Sequence, residues 1–204
     1  MISLRKHRKP LALAALLLFS LSVLLTGCWD SRELNELFIV TGVALDWSGD
    51  DDRMDITFQV GKPDAMASVS GLSSDAISQE SPEILIKSTG DTVMEGMSNI
   101  DLDSSRTLLL QHNQVLLFGS ALAQRGVADR LDLFLRNQET RMEELLVVVD
   151  GRADELLATE MSQDKISGMF LWRVMRKLAE VSPHYPVRIQ DFVSRILEET
   201  TAPA

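Results

Sequence analysis

The sequence predicts an α+β (mixed α/β) fold, a mixed β-sheet with packed helices, preceded by a lipoprotein signal peptide. Three observations predict it. Strand-like and helix-like stretches interleave along the chain, the order that gives a sheet with helices packed on it. The run from Met54 to Val60 alternates apolar and polar residues with the period of two that a strand requires. The composition, 45% hydrophobic and 25% charged over 204 residues, is that of a globular chain long enough to bury a core.

The first element is a leader. Met1–Lys9 holds Arg5, Lys6, Arg8 and Lys9 and no acid. Leu11–Leu25 is apolar apart from Ser20 and Ser22, and it is shorter than the ~20 residues a membrane span needs. This is the layout of a secretory signal peptide. Its closing tetrad, Leu25-Thr26-Gly27-Cys28, resembles a bacterial lipobox. Thr26 and Gly27 are small enough for the peptidase cleft, and Cys28 offers the thiol that takes diacylglycerol. That resemblance implies removal of residues 1–27 and a lipid membrane as partner through acylated Cys28. Two or more acyl chains, palmitate among them, suffice for stable anchoring, since each buried CH₂ contributes ~0.8 kcal/mol. Cys28 is the only cysteine, so no internal disulfide competes for it. Trp29, next to it, suits the membrane interface.

Residues 28–37 form a short lead-in. Phe38–Asp46 predicts a mostly buried strand, and Trp47–Asp52, with Gly49 and three acids, a turn. Arg53–Val60 predicts the hairpin partner, with Met54, Ile56, Phe58 and Val60 inward and Asp55, Thr57 and Gln59 on a wet face. Gly61–Ser81, rich in Ser, Gly and Ala, reads as a long mobile loop, a connector in preference to a binding edge. Glu83–Ser88 is a short strand. Asp91 is positioned to cap a helix running to about Ile100, with Val93, Met94, Met97 and Ile100 on one stripe. Gln114–Phe118 is a strand, and Ser120 is placed to cap the next helical stretch. Its later part, Val127–Arg136, has Val127, Leu131, Phe134 and Leu135 at helical spacing. Glu144–Asp150 predicts a buried strand. Helices follow at Ala153–Ala158 and Ile166–Val181, the second with Leu171, Val174, Met175 and Leu178 on one face, and Ser182-Pro183 stops it. Tyr185–Ile189 is extended, Asp191–Glu198 is an amphipathic turn or two, and Thr200–Ala204 reads as linker. The expected domains are therefore the leader 1–27, the lead-in 28–37, an α/β domain 38–181, and a linker 182–204.

Charge narrows the function. The formal net charge is −10, and residues 1–27 hold four of the 20 bases and no acid; the remainder carries 16 bases against 30 acids, a net of −14. So acidic a surface argues against nucleic acid as partner and against electrostatic adhesion to an anionic membrane. The motifs of enzyme chemistry are missing. No two glycines stand two, four or five positions apart, which excludes the dinucleotide fingerprint, the nucleophile elbow and the Walker loop in their usual forms. His7 leaves with the leader, and His112 and His184 have no His or Cys at metal-ligand spacing. His112 reads as a structural hydrogen-bonding residue. The pairs Glu143-Glu144 and Asp51-Asp52 read as solvated face or turn. Trp29, Trp47 and Trp172 are too scattered to form a sugar platform. No enzymatic activity, cofactor or metal is expected.

The block Cys28-Trp29-Asp30-Ser31-Arg32-Glu33-Leu34-Asn35-Glu36-Leu37, followed by Ile39-Val40-Thr41-Gly42-Val43-Ala44-Leu45-Asp46, resembles the Ger(x)C family, the C-subunits of spore germinant receptors. Within it Trp29, Asp30, Arg32, Glu33, Asn35 and Glu36 are the motif residues. The resemblance continues through Thr57-Phe58-Gln59-Val60, Gly90-Asp91-Thr92 with Glu95, Ser105-Arg106, His112-Asn113-Gln114-Val115, Gly119, Ala123, Leu131-Asp132, Arg136, Arg141 and Tyr185-Pro186-Val187. It implies a non-enzymatic lipoprotein on the outer face of the spore inner membrane, needed for receptor assembly or signalling. It also implies two polytopic membrane receptor subunits, A- and B-type, as partners. Family members continue for about as much again, so 182–204 would be the start of a second domain that this chain lacks. Two other readings are a solute-binding lipoprotein of a transporter, for which the mature chain is short, and an envelope hydrolase, for which the nucleophile, base and metal set is missing.

Overall fold

β1 (Leu37–Trp47) is the middle of the sheet, and nine of its eleven residues are buried. A strand so covered must have packed layers on both faces, which is why its sequence is a near-continuous apolar run. The computed structural model describes residues 16–20, 36–49, 53–62, 83–138, 140–159, 166–182 and 186–198. The chain forms two compact units, Met1–Glu33 and Leu34–Ala204. In the first, residues 16–20 are helical and exposed. Among the described residues no helix is long and apolar enough to cross a membrane.

The second unit holds the mixed sheet with packed helices that the sequence predicts. β2 (Met54–Gly61) pairs antiparallel with β1, and β3 (Glu83–Gly90) antiparallel with β2. On the other side of β1, β4 (Thr107–Leu109) runs parallel to Leu37–Ile39, and β5 (Val115–Gly119) parallel to Gly42–Leu45. β6 (Leu145–Val149) follows in parallel on β5, and the two-residue β7 (Val187–Arg188) closes that side antiparallel to Leu145 and Leu146. The order is β3-β2-β1-β5-β6-β7, with β4 beside the start of β1. The helices are α1 (Val93–Asp103), α2 (Ser120–Ala123), α3 (Asp132–Arg136), α4 (Ala153–Leu157), α5 (Ser167–Val181) and α6 (Ile189–Leu197). Short 3-10 turns at Leu110–His112 and Ala128–Leu131 join them.

One irregularity sets which residues face which layer. The β1–β2 register slips between Val40 and Gly42, so Thr41 is an extra residue opposite Val60 and Gln59. A bulge of this kind changes the parity of the strand. Phe38 and Val40 before it, and Val43, Leu45 and Trp47 after it, all join one apolar cluster. With Met54, Ile56, Phe58, Leu116 and Phe118 they form the larger core, covered by α1, α2, α3 and α6. The opposite face has a smaller core of Ala44, Val115, Leu117 and Leu145 under Ala153 and Leu157 of α4, with Leu171, Trp172 and Met175 of α5 packed against it.

Several expectations need correction. β2 has no wet face: Thr57 and Gln59 are buried, because α4 and α5 lie over a side that the alternation marks as polar. Thr92, not Asp91, caps α1, its hydroxyl accepting from Glu95 N–H, while the Glu95 carboxylate accepts from Asp91 N–H. Gly96 replaces Met94 in the buried stripe of α1, and Met94 is exposed. Ser120 is the first residue of α2 and not its cap; its hydroxyl faces the Gly151 backbone instead. β6 is half-exposed, since β7 shields only its first two residues. Val174 and Leu178 of α5 are exposed while Leu171 and Met175 pack inward. Past Ser182, in the stretch read as linker, β7 and α6 join the same sheet and core, with Ile189 fully buried. The expected loop at 61–81 lies outside the described residues beyond Lys62, as does His184.

Candidate functional site

Of the residues singled out from the sequence, Leu25, Thr26, Gly27, Cys28, Trp29, Asp30, Arg32, Glu33 and Asn35 lie outside the described residues. Glu36 is exposed, one residue before β1. His112 is exposed in its 3-10 turn. What the structure brings together is three polar constellations, in which Asp46, Gln59, Asn113 and Gly119 of the family resemblance meet residues that the sequence reading did not select.

The first joins the end of β1 to α4. Asp46 is buried, and its two carboxylate oxygens accept from Ala153 N–H (2.8 Å) and Asp154 N–H (2.9 Å), the free amides at the start of α4. Burial raises the Asp46 pKa, and the two amides and the Arg152 charge act against that rise. Arg152 pairs with Asp154 (2.9 Å) and Asp55 (3.1 Å), and Lys87 of β3 reaches Asp154 at 2.8 Å. The Arg152 hydrogen bond, with help from Lys87, holds Asp154 down to about 2, and Asp154 in turn raises Arg152. Two bases thus stand among three carboxylates from β1, β2 and α4. Among the described residues no group of three or more His, Cys, Asp or Glu is placed to hold a metal.

Gly119 explains itself here. A Cβ on it would run into Asp46 Oδ1 and lie 3.1 Å from Gly151 O. Gly151 sits at φ +96°, a left-handed turn that L side chains resist. Gly119→Ala displaces the Asp46 carboxylate from the α4 amides. We expect a loss of about 2–3 kcal/mol of stability, as for buried donors left unmatched, read as a lower urea midpoint at an unchanged slope.

The second constellation centres on Gln59, which is fully buried. Its amide nitrogen donates to Ser167 Oγ (2.5 Å) and Glu83 Oε2 (2.6 Å), with Leu157 O farther off at 3.4 Å. Its oxygen accepts from Gly168 N–H (2.8 Å) and from the Thr41 hydroxyl (3.2 Å). The bulged Thr41 and the first turn of α5 are both fastened to β2 through one side chain. Gly168 permits the approach, since a Cβ there would meet Gln59 Oε1 and Thr41 O at 2.6 and 3.0 Å.

The third is the pair Asn113–Glu144. Glu144 is 2% exposed, not the solvated residue its acidic neighbour suggests; Glu143 is the exposed one. Asn113 donates to it at 2.6 Å, and Arg141 N–H at 3.4 Å. Burial outweighs both bonds and lifts Glu144 to about 7. Its backbone carbonyl accepts from Ile189 N–H at 3.0 Å, so the pair also holds the start of α6.

Separately, a cleft of about 710 Å³ opens between α1 and α3, floored by Met54, Val93 and Leu133. Its rim charges pair locally: Arg136 with Asp132 at 2.6 Å, Arg130 with Asp91 O at 3.1 Å. Cations stacked on rings finish the surface nearby, Arg125 over Trp47 at 4.1 Å and Arg106 over Phe38 at 5.4 Å.

These arrangements define a class: an α+β module whose buried polar residues bind its own strands and helices to one another. Comparison with known proteins then gives the family. The family described as spore germination protein N-terminal domain matches residues 30–204. The chain belongs to this family, the Ger(x)C proteins of spore germination. Among curated relatives from Bacillus subtilis (strain 168), the putative spore germination protein YfkR is 27% identical over 86% of this chain and 44% of its own. Spore germination protein A3 is 31% identical over 69% of this chain and 36% of its own. Spore germination protein KC is 26% identical over 94% of this chain and 47% of its own. The chain thus spans less than half the length of these relatives. No solved structure matches it significantly.

Family residues noted in the sequence now have physical roles. Asp46, Gln59, Asn113 and Gly119 belong to the constellations above, Thr92 and Glu95 cap α1, and Arg136 pairs with Asp132. The partners Lys87, Glu144, Arg152 and Asp154 were missed. The available signal was a charged residue bordering an apolar run, as Glu144 borders Leu145–Val149.

Proposed function

We propose that the mature protein is a lipid-anchored, non-enzymatic subunit of a nutrient germinant receptor. In this reading Cys28 carries the lipid and holds the domain on the outer face of the spore inner membrane. Two polytopic membrane subunits, A- and B-type, are its partners, and its part is receptor assembly or signalling. The observation that carries the reading is the join of two signals: a lipobox-like tetrad ending in the only cysteine, and directly after it a domain of the spore germination family. The internal pairing of Asp46, Asp55, Lys87, Arg152 and Asp154 supports a structural use of these charges.

The test begins at the thiol. In wild type, mass spectrometry of membrane-extracted protein should find an N-terminus at Cys28 bearing diacylglycerol. Cys28→Ala should accumulate at precursor size, take up no labelled palmitate, and fail to support nutrient germination where this subunit is the sole one of its kind. Normal processing of the variant would remove the anchor from the proposal. Cross-linking in spore membranes that captures neither polytopic subunit would remove the receptor.

A further inference from the structure

Helix α5 rests on the smaller core through half-buried Leu171, Trp172 and Met175. Only Ser167 and Gly168 of its fifteen residues are buried. Val174, Leu178 and Val181 stand out at 41, 44 and 83% exposure, at spacing i, i+4, i+7, which places them along one side. Arg173 and Lys177 are exposed on the adjoining side, Arg176 is exposed farther round the helix, and Glu180 is the one acid of the helix. Arg176 lies 5.1 Å over Trp172, and these residues with Phe170 wall a shallow groove of about 380 Å³. Three bases against one acid is the reverse of the balance in the rest of the mature chain, 13 bases against 29 acids.

The placement of α5 in the domain matters as much as its composition. Gly168 N–H is bonded to Gln59 and its backbone lies close against Thr41, so α5 starts over the early half of β1. Thr41 is four residues from Leu37, about 13 Å along a strand. Cys28 is nine residues before Leu37, at most ~30 Å of extended chain. An anchored Cys28 therefore keeps the domain within tens of ångströms of its anchor, a reach that admits α5 to the bilayer.

We propose that the exposed side of α5 lies on an anionic lipid bilayer, its bases at the phosphates and Val174, Leu178 and Val181 at the acyl boundary. The proposal rests on the lipid-anchor reading above for its proximity to the membrane. Exposed apolar residues beside a row of Lys and Arg are the composition of an interfacial helix. Global acidity does not oppose it, because at physiological salt a bilayer senses charges within ~8 Å and not the far side of the domain. Each base near the surface strengthens contact about fivefold. The anchor keeps the domain at the membrane; α5 would fix which side of it faces the lipid.

The test uses the full chain made in a lipoprotein-processing host, with Val181→Cys carrying an environment-sensitive fluorophore. It is reconstituted in vesicles of phosphatidylcholine alone or mixed with phosphatidylglycerol. The expected result is a blue-shifted label, shielded from aqueous quencher, in the anionic vesicles only. Adding Arg176→Glu and Lys177→Glu should reduce the shielded fraction about tenfold or more, with the circular dichroism unchanged. A label open to water in both vesicle types overturns the proposal. So does equal shielding in both, which would mean that anionic lipid is not what covers the helix. Failure of the anchor is read separately, as fluorophore on the Cys28 peptide. An unprocessed chain would still be held to vesicles by its apolar leader, so position 181 reports on α5 in either case.

Discussion

Gln59→Leu should destabilise the domain by about 3–5 kcal/mol and release α5 first. The substitution keeps the volume and removes every partner at once. Gly168 N–H loses its acceptor, and Glu83 loses its shortest donor. Ser167 Oγ loses a donor and keeps its bond to Leu157 O, and the Thr41 hydroxyl keeps only the backbone carbonyl of residue 59. A buried group stranded in this way, as Gly168 N–H is, costs ~1–3 kcal/mol, and the weakened bonding of Ser167, Thr41 and Glu83 adds to that. The smaller core gives little apolar compensation, because six buried residues form it among the described residues. Hydrogen exchange should therefore show the α5 amides opening well before those of β1 and β5, with a fall in the urea midpoint. Loss of protection spread evenly over the sheet would mean that α5 is not held by this side chain.

The second large effect is one of pH. Glu144 titrates at about 7 in the fold against 4.5 in the open chain, because burial disfavours its charge. Below 4.5 it is protonated in both states, and its contribution to stability is complete. As pH rises toward 7 the unfolded chain ionises and the folded one holds its proton, so stability falls by about 1.4 kcal/mol per pH unit, ~3 kcal/mol in all. Above 7 both states are charged and the loss levels off. Asp154 acts with the opposite sign in a separate window: held to about 2, it contributes stability that disappears only as pH drops below 4. Glu144→Gln imitates the neutral acid, and its amide can donate to Asn113 Oδ1, which has no partner in the native arrangement. Urea unfolding at pH 5 and pH 7.5 should differ by ~2.4 kcal/mol less in the variant than in the wild type, the share of the full loss that falls between those two pH values. An unchanged difference would mean that Glu144 is not the group responsible.

Both predictions concern residues whose burial the sequence did not reveal, and the reason is physical. Periodicity reports whether a strand has one wet face, and β2 reads that way because Asp55, Thr57 and Gln59 alternate with apolar residues. What decides their burial is the arrival of α4 and α5 from about a hundred residues later. Hydrogen bonds there do the work that apolar side chains do elsewhere, and a polar letter conceals it. The same holds for Glu144, whose surroundings come from Asn113 and the start of α6. What was legible is local. β1, β2, β5 and β6 and helices α1, α4 and α5 appear within a few residues of their expected bounds, because each carries its own apolar pattern. β4, three residues long, offers too short a pattern to read. The cap of α1 was misplaced by one because Asp91 and Thr92 are both good caps, and only the position of Glu95, three residues past Thr92, distinguishes them. The bulge at Thr41 left no trace in composition, yet it sets the facing of half of β1.

The central position of β1 also has a mechanical meaning. Its hydrogen bonds run across the strand to β2 on one flank and to β4 and β5 on the other. A tug on Leu37 directed along the strand loads those bonds in shear, all together, and not one after another as in peeling an outer strand. A domain strung by this end should resist being torn open far better than one pulled from β7, where only two residue pairs need part.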